Sequence, residues 1–321
     1  MKRITVLGGG TGTYVVLSGL KTYPFDLGAI VTMMDSGGST GRLRDQLGVL
    51  PPGDLRQCLV ALSEASLLWR KLFLYRFESG DLVGHNFGNI FLSALEKIAS
   101  NYDEVIKMAS YILKIKGKVI PVTYEKANLV VEYENGEIIK GEGLIDTKKD
   151  LDNKITKIYL DPVVKVNPKA VKRILKSDLI VIGPGDLYTS IIPIFLVKGL
   201  SDAIKKTKAR FVYILNLMTK AGQTHRFTAN DHLLTIEKYL GRMVDFVVVN
   251  NGRISSKIIE WYYKHNEERV VDDLKRIGKR KIVRADVVSH SFFNQSKSDQ
   301  LSRSILRHSP LKLAKVIQTL L

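Results

Sequence analysis

Three glycine-rich segments carry serine or threonine hydroxyls in a pattern that suits phosphate binding. They are GGGTGT (8–13), DSGGSTG (35–41) and GPGDLYTS (183–190). Glycine lets the backbone approach phosphate oxygens, and backbone N–H groups at helix starts add a positive dipole end. None of the three is a Walker motif, and no general base stands beside them. We therefore predict an anion-binding site without an evident catalytic group.

Charged and amide side chains beside these segments are further candidates. Arg42 and Arg44 would add charge-assisted hydrogen bonds to a phosphate. Asp35 suits either the hydroxyls of a ribose or a cap on the loop that follows it. Asn86 and Asn89 share one helical face, where two amides suit either a sugar or base, or the buried loop backbone. The residues alone leave these alternatives open.

Short apolar, β-branched runs precede these segments and predict the strands that position them. Continuous apolar runs without alternation suit strands that are buried on both faces. Helix-like segments lie between most of the runs, an order that indicates a parallel sheet with crossover helices. We predict an α/β fold with a doubly wound, mostly parallel sheet, whose strands begin near residues 4, 28, 179, 211, 246 and 281.

The chain between the second and third of these strands differs in character. Residues 53–115 contain several helix-like segments, which we predict to be a helical insertion. Residues 117–161 change to strand chemistry, with period-2 alternation around Asn135-Gly136, a strong hairpin turn signal. We predict a small antiparallel β-hairpin insert at 117–161, within one domain that spans residues 1–321.

The carboxyl ends of parallel strands meet at one edge of a sheet, where α/β proteins bind ligands. Five predicted loops occupy that edge: the three glycine-rich segments, NLMTKAGQT (216–224) and NNG (250–252). Three glycine-rich loops at one edge of the sheet favour a ligand site over three unrelated structural turns. The predicted ligand-binding residues are Gly8, Gly9, Gly10, Thr11, Gly12, Thr13, Asp35, Gly37, Gly38, Ser39, Thr40, Arg42, Arg44, Asp54, Asn86, Asn89, Gly183, Gly185, Tyr188, Thr189, Ser190, Asn216, Asn250 and Arg307.

The last predicted helix, PLKLAKVIQTLL, supplies the final residue of that set. Ser309 suits its N-cap and Pro310 suits its first helical position. Arg307 stands just before them, where the helix dipole disfavours a cation unless an anion lies in front. We therefore predict that Arg307 binds the same anion as the glycine-rich loops.

Signals for metal binding and catalysis are weak. The spacings H-x-x-x-H and C-x-x-C do not occur in the sequence. Asp35, Asp54 and Asp186 are the residues that would hold Mg²⁺, but acidic residues at helix starts are more often caps, and we favour that role. We expect no metal ligands and no required cofactor.

Composition limits the choice of partners. The 321 residues carry a net charge of +17 and one cysteine, Cys58, which cannot form an internal disulfide. The first apolar run is too short for a signal peptide, and no run reaches the ~18 residues of a membrane span, so we expect a cytoplasmic protein that does not enter the membrane. The basic run at 272–284 lacks an accompanying nucleic-acid motif, so we favour a solvated basic surface over specific nucleic-acid binding.

Seven segments follow one another in order from residue 3 to about 319: GGGTGT, VTMMDSGGSTGRLR, PPGDLRQCLVAL, GHNFGNIFLSALEKI, IGPGDLYTSIIPIFLV, NLMTKAGQT and RHSPLKLAKVI. In combination, they resemble the motifs of the bacterial gluconeogenesis factor family. The resemblance implies a Rossmann-like nucleotide-binding domain and a regulator that binds UDP-sugars such as UDP-N-acetylglucosamine. It also implies effects on central carbon flux, peptidoglycan supply and cell shape, and it agrees with a role for Arg307. We further expect a regulated protein partner and a homodimer.

The wider superfamily includes the 2-phospho-L-lactate transferase, which gives the alternative function. The transferase pattern resembles Asn-Thr-Gly-Asp-Asp after the second strand, whereas this chain has Ser36 at one of the aspartate positions. The chain also differs from the regulators, because Asp186 stands where they usually have a serine. Paired carboxylates would hold Mg²⁺ against a transferring phosphoryl group, and Ser36 breaks that pair. We favour a regulator without catalysis over an enzyme that uses a nucleoside-diphosphate donor.

Overall fold

The computed structural model describes residues 1–276, 278–289 and 304–321. No helix in these ranges is long and apolar enough to cross a membrane. The strands within them are β1 (Arg3–Gly8), β2 (Asp26–Val31), β3 (Lys118–Pro121), β4 (Asn128–Tyr133), β5 (Ile138–Lys140), β6 (Ile155–Asp161), β7 (Leu179–Ile182), β8 (Arg210–Ile214), β9 (Phe246–Asn250) and β10 (Lys281–Ala285). The helices within them are α1 (Gly10–Leu20), α2 (Gly38–Leu47), α3 (Gly53–Leu62), α4 (Leu67–Leu74), α5 (Phe87–Ile98), α6 (Tyr102–Ile112), α7 (Glu142–Thr147), α8 (Pro168–Leu175), α9 (Ile192–Phe195), α10 (Leu200–Lys206), α11 (Ala229–Leu240), α12 (Ser256–Tyr263) and α13 (Pro310–Gln318), with a π-helical turn at Leu187–Ile191 before α9.

Seven of the described strands form one sheet in the order β10-β9-β8-β7-β1-β2-β3. Every pairing in it is parallel. The chain moves outward from β1 to β3 on one side and from β7 to β10 on the other. The strand order therefore reverses between β1 and β7, and the predicted doubly wound, mostly parallel sheet is confirmed.

Apolar side chains cover both faces of this sheet. Leu7 and Ile180 belong to the core on one face, while their neighbours Val6 and Val181 belong to the core on the other. All four side chains are buried completely. Because successive residues of a strand point to opposite faces, a strand covered on both sides needs an unbroken apolar run. This requirement explains the continuous runs from which the strands were predicted.

The predicted antiparallel insert is present, with a different start. β4, β5 and β6 form a three-stranded antiparallel sheet in the order β5-β4-β6. Gly136, in the turn after β4, has a φ of +83°, which glycine adopts without strain. Residues 118–121 lie outside this sheet: they form β3 and pair in parallel with β2. The pattern at 117–121 did not indicate this, because the partner strand lies far away in the sequence.

The predicted helical insertion corresponds to α3 through α6. Helix α3 buries Leu55, Leu59 and Cys58 in the core, as their helical spacing predicts. Its first residue, Gly53, lies against the loop that follows β2, because a Cβ atom there would be 2.5 Å from Asp35 Oδ2. The insertion thus brings a helix start to the carboxyl edge of the sheet.

At this edge the start of α1 packs tightly against the loop after β7. A Cβ atom on Gly12 would lie 1.6 Å from the carbonyl oxygen of Pro184. Gly183, in the facing loop, has ordinary space, since the nearest atoms to a Cβ there are 3.5 Å away. Gly12 is therefore required by the packing of α1 against the loop, and Gly183 is not.

We expect Gly12→Ala to lower the free energy of unfolding by roughly 1–3 kcal/mol, the usual cost of forcing extra atoms into a packed site. The matched control, Gly183→Ala, should stay within about 0.5 kcal/mol of the parent protein. Urea unfolding of the three proteins measures both effects. Equal stability of the two variants would contradict a rigid contact between α1 and Pro184.

Candidate functional site

A cavity of about 430 Å³ opens at the carboxyl edge of the parallel sheet. Residues from the loops after β1, β2, β7 and β8 line it. The strand order reverses between β1 and β7 at this position, which is the usual place of ligand binding in doubly wound sheets. The volume lies in the range of small-molecule sites.

Three helices begin at this cavity. α1 starts at Gly10, α2 at Gly38 and α3 at Gly53. Gly10, Gly53 and Ser39, in the first turn of α2, line the wall. The first N–H groups of a helix have no partner within it and form the positive end of its dipole. Their convergence makes the cavity favourable for an anion.

The carboxylate of Asp54 holds two of these helix starts together. Asp54 lies in the first turn of α3, and its Oδ1 atom accepts a hydrogen bond of 2.7 Å from the Gly10 N–H at the start of α1. A Cβ atom on Gly9 would lie 2.1 Å from Asp54 Oδ2. Glycine at position 9 is thus needed for the approach of this carboxylate.

Asp35 organises the loop after β2 and also lines the cavity. Its Oδ1 atom accepts a hydrogen bond of 2.9 Å from the Gly37 N–H, the short-range contact of an Asx-turn. The loop-capping alternative for Asp35 is therefore realised in the structure. The same bond occupies the N–H group of Gly37, a predicted ligand-binding residue.

The two amides of the GHNFGN segment have different surroundings. Asn86 is the N-cap of α5, where its side chain accepts a hydrogen bond from the Asn89 N–H. Asn89 lines the cavity, and its Nδ2 atom lies 3.3 Å from the hydroxyls of Ser39 and Thr40. Asn86 thus serves the backbone, whereas Asn89 joins α5 to the first turn of α2 at the cavity wall.

The structure brings most of the predicted site residues together. Those that line the cavity are Gly9, Gly10, Thr11, Gly12, Asp35, Gly37, Ser39, Thr40, Asp54, Asn89, Gly185, Thr189, Ser190, Asn216 and Arg307. Those that do not line it are Gly8, Thr13, Gly38, Arg42, Arg44, Asn86, Gly183, Tyr188 and Asn250.

The predicted site residues that do not line the cavity have other contacts. Arg42 and Arg44 lie beyond the first turn of α2, where Arg42 donates to the Val83 carbonyl oxygen and Arg44 pairs with Asp45. Tyr188 is buried, and its hydroxyl bonds to Thr235. The Asn250 amide accepts hydrogen bonds from the N–H groups of Gly252 and Val287 and so shapes the loop after β9.

Other basic side chains reach the cavity instead of Arg42 and Arg44. Arg56, on α3, and Arg76 both line it, as do Lys149 and Lys220. The Arg56 guanidinium also donates to the Phe73 carbonyl oxygen, and that of Arg76 donates to the Gly84 carbonyl oxygen. Arg56 follows Asp54 at the start of a predicted helix, a position that could have suggested it from sequence.

The antiparallel insert supplies site residues that the sequence motifs did not indicate. Glu142 and Asp146, on α7, line the cavity. The Ser36 hydroxyl accepts a hydrogen bond of 2.9 Å from the Gly143 N–H, and the Ser36 N–H donates to the Glu142 carboxylate at 3.3 Å. The spacing of Glu142 and Asp146, four residues apart, places them on one helical face and was the available signal.

Burial makes these carboxyl groups hold protons more strongly. Burial, with Asp35 nearby, raises the pKa of Glu142 well above its usual range. Burial and the neighbouring Asp186 raise the pKa of Asp146 to about 6, although Lys220 opposes the shift. The Lys220 ammonium lies 3.3 Å from Asp146 and 3.8 Å from Asp186. Asp186 in turn raises the pKa of Lys220, which therefore stays protonated.

The segment before α13 completes the described wall of the cavity. Ser309 is the N-cap of this helix and Pro310 its first residue, so both predictions are confirmed. Arg307 and His308 line the cavity. Burial lowers the pKa of His308 to about 4, and its ring bonds to the backbone of Leu215. The imidazole is therefore neutral near pH 7.

The carboxylates considered for Mg²⁺ do not form an evident metal-binding cluster. In the part of the chain that the structure describes, no group of three or more histidine, cysteine, aspartate or glutamate side chains has an arrangement that could hold a metal ion. Asp35 and Asp54 have the cap-type contacts given above. Asp186 lies near Lys220 instead.

Comparison with known proteins identifies the family. A family model described as 2-phospho-L-lactate transferase CofD matches residues 4–290. The chain belongs to the CofD family. Within it, the chain is 41% identical to a protein named gluconeogenesis factor from Halalkalibacterium halodurans, over 96% of this chain and 97% of that protein. A relative from Aquifex aeolicus is 44% identical over 100% and 98% of the two chains.

A solved structure agrees with this family membership. The crystal structure of a UPF0052 family member from Bacillus halodurans superposes with a TM-score of 0.89. The two proteins are 40% identical, and the match covers 99% of each chain. The resemblance to gluconeogenesis factors and to the transferase, inferred from the motifs, is thereby confirmed.

We expect Asp146→Asn to change how stability depends on pH. Well below pH 4 the carboxyl group is protonated in both the folded and the unfolded chain, so its burial does not lower stability there. As the pH rises from about 4 to 6, the unfolded chain loses this proton before the folded one, and the stability of the parent protein falls relative to the variant. The variant should gain up to about 3 kcal/mol on the parent between pH 4 and 7.

Urea unfolding at four pH values between 4 and 7 measures this difference. Asp152→Asn, at an exposed position of the same insert, is the control for the chemical change from Asp to Asn. A difference between Asp146→Asn and the parent that is constant over this range would contradict the raised pKa of Asp146.

Proposed function

We propose that the protein binds a nucleotide sugar of the UDP-N-acetylglucosamine type in this cavity. It acts as a regulator of carbon flux, peptidoglycan supply and cell shape through a protein partner, and it releases the ligand unchanged. The name of the relative from Halalkalibacterium halodurans, gluconeogenesis factor, supports the role in carbon metabolism. The geometry of the cavity supports the class of ligand.

The convergence of α1, α2 and α3 is the observation that carries the proposal. A diphosphate needs several N–H donors in a small space, and three helix starts supply them together. Arg56, Arg76 and Arg307 lie at the same cavity and suit bidentate bonds to phosphate oxygens. A site for a neutral metabolite would not need this concentration of donors.

Carboxyl and amide oxygens at the cavity suit the hydroxyl groups of a sugar. Asp35 and Glu142 line the wall beside Asn89. Within the described residues, the Oδ1 atom of Asn89 is buried without a hydrogen-bond partner. A buried acceptor that lacks a donor is costly, and a hydroxyl or amide N–H of the ligand would satisfy it.

The contacts of Ser36 favour the regulator over the transferase. At this position, where the transferase pattern has an aspartate, the Ser36 hydroxyl holds the start of α7. Ser36 does not line the cavity. The carboxylate pair expected beside a transferring phosphoryl group is thus absent from the loop after β2, where Asp35 stands alone.

The transferase remains the second candidate, and a specific observation favours it. The family model that matches the chain is that of 2-phospho-L-lactate transferase. Glu142, from the insert, brings a further carboxyl group close to Asp35 and Asp54. If Glu142 replaces the missing aspartate of the loop, the chain transfers a phospho-acyl group from a nucleoside-diphosphate donor.

A ligand panel separates the two candidates. Thermal unfolding with UDP-N-acetylglucosamine, UDP-glucose, GDP and NAD should show the largest shifts with the two UDP-sugars, since a ligand at a hundred times its Kd adds about 2.7 kcal/mol of stability. Chromatography after long incubation should recover these ligands intact. Shifts that are equal or absent across the panel would exclude the nucleotide-sugar site, and consumption of a donor would favour the transferase.

Arg307→Ala tests the phosphate end of the site. Loss of a charge-assisted hydrogen bond should weaken affinity for the UDP-sugar roughly tenfold or more in calorimetric titration. The melting temperature without ligand should hardly change. Lys315→Ala, on the exposed side of α13, is the matched control and should bind as the parent does. Wild-type affinity in the Arg307 variant would remove this residue from the site.

A further inference from the structure

The cavity has an aromatic part that the glycine-rich loops do not form. Trp261, on α12, and His265 both line it. Their rings stack with centroids 3.9 Å apart and planes inclined by 25°. The His265 Nδ1 atom lies 2.7 Å from the Trp261 carbonyl oxygen, a contact that fixes the imidazole on the backbone. The pair is a rigid, flat π surface at the cavity wall.

A small group of apolar residues packs beside this pair, and Glu267 also lies near His265. Leu217, Met218 and Leu306 line the same cavity and form a small core with Tyr262. The Tyr262 hydroxyl lies 2.6 Å from the Ser304 hydroxyl and accepts a hydrogen bond of 3.1 Å from the Leu306 N–H. The polar atom of this ring is thus satisfied within the wall, which leaves an apolar, aromatic surface.

The loop after β8 fixes this part relative to the glycine-rich part. The Asn216 side chain donates to the Gly185 carbonyl oxygen at 2.8 Å. The next residue, Leu217, accepts a hydrogen bond from the Val270 N–H, and the Thr219 N–H donates to the Glu268 carbonyl oxygen at 2.7 Å. The segment that follows His265 is therefore bonded to the loop that contacts Gly185.

We propose that the Trp261–His265 pair is the subsite on which the nucleobase of the bound nucleotide stacks. This inference rests on the proposed nucleotide-sugar function and names the residues that distinguish a nucleotide from a bare diphosphate. A diphosphate at the helix starts has a nucleoside on one side, and a nucleobase needs a flat apolar surface. Stacking on an aromatic side chain tolerates any base and is worth about 5- to 150-fold in affinity.

Tryptophan emission tests the contact directly. The chain has two tryptophans, and Trp69 lies on α4 at a different surface depression. In the Trp69→Phe variant all tryptophan emission comes from Trp261. UDP and UDP-N-acetylglucosamine should quench this emission, whereas pyrophosphate should bind without quenching. In the Trp261→Phe variant, which retains Trp69, UDP should leave the emission unchanged.

Affinity provides an independent measurement. Trp261→Ala should weaken UDP binding about 5- to 150-fold in calorimetric titration and leave pyrophosphate affinity within about twofold. Trp261→Phe should restore most of the loss, because a benzene ring still stacks. The control is Tyr263→Ala: Tyr263 lies on the same helix, is 61% exposed and does not line the cavity, so UDP affinity should not change.

The outcomes separate this inference from the function on which it rests. Tight binding of UDP-N-acetylglucosamine without quenching of Trp261, or with wild-type affinity in the Trp261→Ala variant, would overturn the stacking subsite alone. Failure of the parent protein to bind any UDP compound would overturn both proposals. Should Trp261→Ala fail to fold, the Trp69→Phe titration still decides the question.

Discussion

The hydrogen bond between the Gly10 N–H and the Asp54 carboxylate is the contact on which the cavity depends. It joins the start of α1 to the first turn of α3 at 2.7 Å. Because the carboxylate fills the space beside Gly9, no larger side chain fits there. Two helix dipoles stabilise the charge of Asp54, and that charge in turn reduces the positive field at the helix starts.

An anion in this cavity would also meet the other charges of its wall. Within the described residues its wall contains six carboxyl groups and five lysine or arginine side chains. Burial, however, raises the pKa of Glu142, Asp146 and Glu267, so these carboxyl groups hold their protons more strongly than exposed ones do. A protonated carboxyl group donates a hydrogen bond instead of repelling a phosphate. Burial of the acidic wall thus reduces the repulsion that these groups would exert on a bound anion.

The sheet and the glycine-rich loops could be predicted from the sequence because their signals are local. An unbroken apolar run indicates a strand that is buried on both faces, and a glycine after it indicates a tight turn. At β1 and β7 both signals lie within ten residues of sequence. The strand β3 could not be predicted in this way, because four residues carry little pattern and the partner β2 is distant. Arg42 and Arg44 were predicted to lie at the site because they are close to the loop in sequence. Proximity in sequence does not give the direction of a side chain on α2, and both side chains make other contacts.

The sequence did not indicate that the carboxyl groups of α7 and the aromatic pair at α12 line the cavity. Each reaches the cavity through contacts between segments remote in the chain, such as Ser36 with Gly143. The loop after β2 therefore does two things: it contributes the start of α2, and through Ser36 it holds the insert against the cavity. The glycine-rich frame supplies three helix starts at one place. The insert and α12 add the acidic and aromatic surfaces, so under the proposed function they would set the choice among phosphate-containing ligands.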